Sequence, residues 1–156
     1  MAKARRVKID PDAPFAAAAS ATLAVRAPEL LEFREGTLDG SDIEQLHSMR
    51  VASRRLRAAL EVYEGCFPKK RHKRLLRLVR ETADALSEAR DLDVQIDYLS
   101  SYREQVPAAD RAGVDSLIAL LRARRSEADA HLAPALERLD DDDFDGQVAR
   151  LLTANP

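Results

Sequence analysis

His47-Ser48-Met49-Arg50-Val51-Ala52-Ser53-Arg54-Arg55-Leu56-Arg57 is the stretch whose reading decides the fold. Its spacing is meaningful on a helix, where successive residues turn by about 100°. With His47 at zero, Arg50, Arg54 and Arg57 fall near 300°, 340° and 280°, one face repeating about once per turn. Arg55 falls elsewhere, near 80°. The apolar residues around this row, Leu46, Met49, Leu56, Leu60 and Tyr63 with Ser53 among them, centre near 210°. The cationic row therefore lies beside the buried stripe and not opposite it. Arginines so placed can pack their stems on apolar neighbours while their heads reach an anion. A row of fixed guanidinium groups suits a chain of phosphates.

Punctuation on either side extends the helical reading. Ser41-Asp42-Ile43-Glu44 reads as a capping box, with Ser41 as N-cap of a helix running from Asp42 to about Glu64. Glu35 to Gly40 reads as a loop. Pro11 and Pro14 introduce an earlier helix, Pro14 to Phe33, which Pro28 should kink or divide. Gly65-Cys66-Phe67-Pro68 separates the cationic helix from a long one, Lys69 to Arg103. That helix has an apolar stripe of Leu75, Val79, Ala83, Leu86 and Val94, and about 100° away a second row of Lys73, Arg77, Arg80 and Asp91. Arg90 projects from the apolar stripe and needs a partner or a ligand, because an unpaired buried charge is costly. Asp93 and Asp97 are candidate partners. A further helix follows Pro107, with an interruption expected near Pro134, and Asp140 to Asp143 precede a short last helix, Phe144 to Leu152.

The expected fold is all-α: an up-and-down antiparallel four-helix bundle with long helices and a short C-terminal helix. Composition agrees. Only 5 glycines occur in 156 residues, and the 46% hydrophobic content includes just 4% aromatic, so the core must be Leu, Ala and Val. Residues 1–12 read as a disordered basic tail and 13–156 as one domain. No apolar run approaches the roughly 20 residues of a membrane span. The single Cys66 excludes an internal disulfide and fits a reducing compartment, so a cytoplasmic location is expected.

The net charge of −2 conceals an asymmetry. His47 to Arg90 carries 12 Lys and Arg against 5 Asp and Glu, a local charge of +7; the remaining 13 basic and 22 acidic residues give −9. A generic nucleic-acid binder is more often basic overall. His47 has three open readings: a neutral hydrogen-bonding group, a cation at low pH, or a metal ligand. The last is least favoured, since no second His or Cys lies at ligand spacing and arginines would repel a cation. His72 and His131 read as incidental surface groups. The acidic run at 140–143 lacks the spacing of a calcium loop and is explained more simply as a helix N-cap. No phosphate loop, nucleophile arrangement or metal set suggests an enzyme, and no cofactor is expected.

Two motifs resemble a known family, the CHAD domain (conserved histidine α-helical domain). One is His-x-x-Arg-Val-x-x-Arg-Arg-Leu-Arg, here His47 to Arg57. The other is Leu-Gly-x-x-Arg-Asp-Leu-Asp-Val, here Leu86 to Val94, with Ser87 where the family usually has Gly. The resemblance covers roughly Phe15 to Leu152. It implies helical bundles that bind inorganic polyphosphate on basic inner surfaces, with polyphosphate granules or triphosphate-processing domains as associates. By motif match it assigns binding to His47, Arg50, Arg54, Arg55, Arg57, Arg80 and Arg90; Lys73 and Arg77 join from the face analysis. Ser87 is expected to affect helix packing more than ligand choice. The full family architecture has two such bundles, so a homodimer rebuilding that arrangement is expected here. Two other readings stand beside polyphosphate binding: a nucleic-acid-binding domain, disfavoured by the scarcity of stacking aromatics, and a helical interaction module regulating a triphosphate-processing enzyme.

Overall fold

A computed structural model describes residues 3–154. Six α-helices and two short 3-10 turns make up its regular structure, with no strand among the described residues. The helices are α1 (Phe15–Leu31), α2 (Arg34–Asp39), α3 (Ile43–Val62), α4 (Lys69–Arg103), α5 (Arg111–Asp141) and α6 (Phe144–Thr153). No helix is long and apolar enough to cross a membrane.

The two longest helices, α4 and α5, run antiparallel. Glu81 meets Arg138 near one end and Arg103 meets Asp115 near the other. Helix α3 packs antiparallel on α4: the Leu60 carbonyl accepts from His72 Nε2 at 2.8 Å, and Ser87 Oγ accepts from Arg50 Nε at 3.2 Å. Helix α1 lies against α3, bringing Phe15 to Tyr63 with ring centroids 4.9 Å apart, and α6 fits between α1 and α4. One hydrophobic cluster joins Leu23 and Leu30 of α1, Met49, Leu56 and Leu60 of α3, Leu75, Val79 and Leu86 of α4, Leu136 and Leu139 of α5, and Phe144 and Leu151 of α6. As the composition requires, almost all of it is aliphatic.

Several local expectations are corrected. The segment expected to be a loop before α3 contains α2; Gly40 ends it in the left-handed conformation (φ 69°), its N–H donating to the Gly36 carbonyl. The N-cap of α3 is Asp42, not Ser41: the Asp42 carboxylate accepts from the Glu44 N–H at 2.9 Å, while the Ser41 hydroxyl turns back to Asp39. The prolines interrupt nothing. Helix α1 continues past Pro28 to Leu31, and α5 continues past Pro134 to Asp141. Both prolines are exposed and flanked by buried residues that pin the helix, namely Ala27, Glu29 and Leu30 in one case and Leu132, Ala135 and Leu136 in the other.

The acidic run is distributed among structural tasks. Asp140 pairs with Arg34 at 2.6 Å and Asp142 with Arg74 at 3.4 Å. Asp143 caps α6, its carboxylate accepting from the Gly146 N–H at 3.1 Å. The basic N-terminal segment begins outside the described residues, at Met1 and Ala2. From Lys3 to Asp10 it has no regular structure, but Arg5 is tied to α1, donating its N–H to the buried Glu29 and its guanidinium to Glu32, each at 2.7 Å. Glu29 is otherwise paired with Arg26 at 2.8 Å, so this buried carboxylate has the partners that burial demands.

Candidate functional site

The two cationic rows stand on adjacent antiparallel helices, and they meet at one carboxylate. Arg57 Nε of α3 donates to Glu61 Oε1 at 3.0 Å, one helical turn away. Arg80 Nη2 of α4 donates to the same oxygen at 2.9 Å. The Arg80 bond, reinforced by Arg57, holds the Glu61 carboxyl below the usual carboxylate range despite the opposing effect of what burial there is. The i,i+4 pairing of Arg57 and Glu61 is legible from spacing alone. The bridge from the second helix is not.

Arg54 is exposed, has no hydrogen bond or ion pair among the described residues, and shares a shallow depression with Arg57, Ala58 and Glu61. Further along α4, Lys73 and Arg77 are likewise exposed and unpaired. With Lys70, Arg74 and Arg80 they line an open cleft of about 650 Å³ whose acidic members are Glu64, Glu81 and Asp84. Five cations against three carboxylates leave this surface positive, which favours a multiply charged anion.

At the other end of the α3 face, Arg50 is half-buried and held by Ser87, the residue that stands where the resembled motif has glycine. Ser87 therefore reaches one of the candidate binding arginines directly, whereas the sequence suggested only a packing effect. The Arg50–Ser87 contact also sets the register, which brings His47 level with Arg90. His47 is half-buried, and its Nδ1 is buried with no hydrogen-bond partner. Arg90 is half-buried too and forms no ion pair among the described residues. Its expected partner, Asp93, is instead engaged by Arg125 of α5 at 2.7 Å. Burial works against the charge on Arg125, but hydrogen bonds to Asp129 and Asp93 outweigh it and move its pKa up. An unsatisfied imidazole nitrogen and an unpaired guanidinium thus lie at one level of the α3–α4 pair. These are the groups left open to a ligand with acceptor oxygens.

Two residues are placed differently. Arg55 belongs to the other side of α3, lining a small cleft with Lys3, Arg5, Glu29, Glu32, Phe33 and Ala52. This is the separation that the helical wheel implies, and the structure does not bring Arg55 to Arg54 and Arg57. His72, expected at the surface, is fully buried. It stacks on Phe67, with centroids 6.3 Å apart and rings 5° from parallel, and donates Nε2–H to the Leu60 carbonyl. The signal was present in the sequence, because His72 continues the Leu75, Val79, Leu86 stripe back by one turn. His131 is at the surface as expected, 3.8 Å from Glu88.

An all-helical protein whose cations are concentrated on two neighbouring helices is the class defined by these features. The chain belongs to the CHAD domain family: the family's model matches residues 21–156, nearly the whole chain. A search for similar curated proteins gave no match.

Proposed function

We propose that this protein binds inorganic polyphosphate along the outer face of α3 and α4, without turning it over. The observation that carries the reading is the shared oxygen of Glu61. Arg57 and Arg80, from different helices, already converge on one anionic oxygen. A phosphate oxyanion has the same charge and acceptor geometry, and a polymer supplies many at once. Arg54 continues the path on α3, Lys73 and Arg77 continue it on α4, and Arg50, His47 and Arg90 extend it towards the middle of the pair. Membership of the CHAD family supports the same ligand class. The groups along this path are donors and cations that hold phosphate, and none is arranged as a nucleophile with a base, so binding without hydrolysis is the economical mechanism.

The reading includes a four-helix arrangement of α1, α3, α4 and α5 as the scaffold, a second copy completing the enclosure of the polymer, and polyphosphate granules as a cellular destination. The test is a competition. Labelled long-chain polyphosphate bound to the protein is challenged with DNA, RNA, ATP and orthophosphate at fixed salt. Polyphosphate alone should displace the label efficiently. Equal displacement by RNA or DNA would instead favour a nucleic-acid-binding domain, and no binding of the label at all would leave the cationic face to an acidic protein partner.

A further inference from the structure

The far end of the molecule has a different character. Beyond Ala89, α4 has no fully buried residue, and it pairs there with α5 alone. Ten large hydrophobic residues are exposed among the described residues, and five of them lie in this hairpin: Val94 (49%), Tyr98 (68%), Tyr102 (44%), Leu117 (44%) and Leu120 (50%). Tyr98 and Tyr102 stack on each other with rings 5° from parallel.

These side chains form one surface. Arg103 faces Asp115 and Arg125 faces Asp93, so Tyr98 lies level with Leu120, and Tyr102 lies level with the turn carrying Leu117. The contact of Glu88 with His131 marks one side of the helix pair. Tyr102 lies about 40° round α4 from Glu88, and Tyr98 about 80°; Leu120 and Leu117 lie about 20° and 40° round α5 from His131. Both exposed sets therefore open on the same side of the hairpin. The surface also carries two charges without partners among the described residues, Asp91 on α4 and Arg124 on α5.

We propose that this side of the α4–α5 hairpin is the contact through which two copies of the chain associate. A two-fold axis parallel to the hairpin sets α4 of one copy antiparallel to α5 of the other. Tyr98 then meets Leu120 of the second copy, Tyr102 meets its Leu117, and Asp91 lies within a turn of its Arg124. The face is complementary to itself in both shape class and charge, which is what an isologous contact requires. A partner of a single charge sign would satisfy only one of the two free ions. The four helices so brought together pack as in an antiparallel bundle. The inference rests on the two-copy element of the proposed function and adds the place of contact; it does not depend on polyphosphate.

Light scattering and sedimentation velocity at micromolar concentrations test it. The wild type is expected to be a dimer. The double variant Tyr98→Asp, Leu120→Asp changes exposed positions, so helicity should be kept while dimerisation weakens at least ~30-fold. Asp91→Arg alone should weaken it about fivefold, and adding Arg124→Asp should restore it. A monomeric wild type overturns the two-copy reading and this contact together, leaving the face to a different partner. A dimer that survives the Tyr98 and Leu120 changes, or one that the double charge swap does not restore, overturns this contact and leaves the two-copy reading standing.

Discussion

Helix α4 is one continuous element with two unlike halves. From His72 to Ala89 it is packed on more than one side, burying His72, Leu75, Leu76, Leu78, Val79, Thr82, Ala83 and Leu86, while its outer face carries Lys73, Arg77 and Arg80. From Leu92 to Arg103 it leans on α5 alone and turns tyrosines to solvent. The first half can hold like charges close together because α3, α5 and α6 fix its backbone. The second has no such support and few cations. Position along one helix thus separates a surface suited to an anion from a surface suited to another protein.

The sharpest break of this contrast comes from equal truncations in the two halves. Leu86→Ala opens space in the core shared with α3 and should cost about 2–5 kcal/mol in denaturant unfolding. Tyr98→Ala, measured where the chain is monomeric, should stay within about 0.5 kcal/mol of wild type. Comparable losses at the two sites would mean that the hairpin end is packed after all.

A smaller effect distinguishes the halves by ligand. Glu61 occupies the oxygen position between Arg57 and Arg80, so it competes with any incoming phosphate. Glu61→Gln should raise polyphosphate affinity about two- to fivefold, the range expected of an exposed ion pair, and filter binding would measure it. Asp91→Asn, on the same outer face but past the cationic row, should change that affinity less.

The smallest expected change is at Ser87. Ser87→Gly removes the acceptor that orients Arg50, and polyphosphate affinity should fall about threefold. The same change places glycine inside a helix and should cost about 1 kcal/mol of stability. Titration and thermal melting of one variant read the two effects separately.

Much of the anchored half was legible in the sequence. The limits of α4 at Lys69 and Arg103, the stripe from Leu46 to Leu60 and the two cationic rows follow from period and punctuation alone. The errors have physical causes. Val94 continues the apolar stripe on the wheel yet is half exposed, because α3 begins only at Ile43 and has no further turn to cover it. Periodicity within one helix cannot show where its neighbour stops. Gly36 and Gly40 suggested a loop, but only Gly40 adopts the left-handed conformation that breaks a helix. For Arg90, spacing offered Asp93 as a partner, and the choice went to Arg125, which approaches from α5 and is invisible to any reading of α4 alone. At the site, spacing gave each row but not the single oxygen on which they converge.

The central claim is that the α3 row and its α4 neighbour hold a polyanion. Polyphosphate binding by the triple variant Arg50→Ala, Arg54→Ala, Arg57→Ala, measured at the wild-type salt concentration alongside circular dichroism, tests it most directly. Loss of three charge-assisted contacts predicts affinity lower by about 10²–10³-fold with helical content unchanged. Affinity within about threefold of wild type, in a variant of native helicity, would contradict the account and move the site elsewhere.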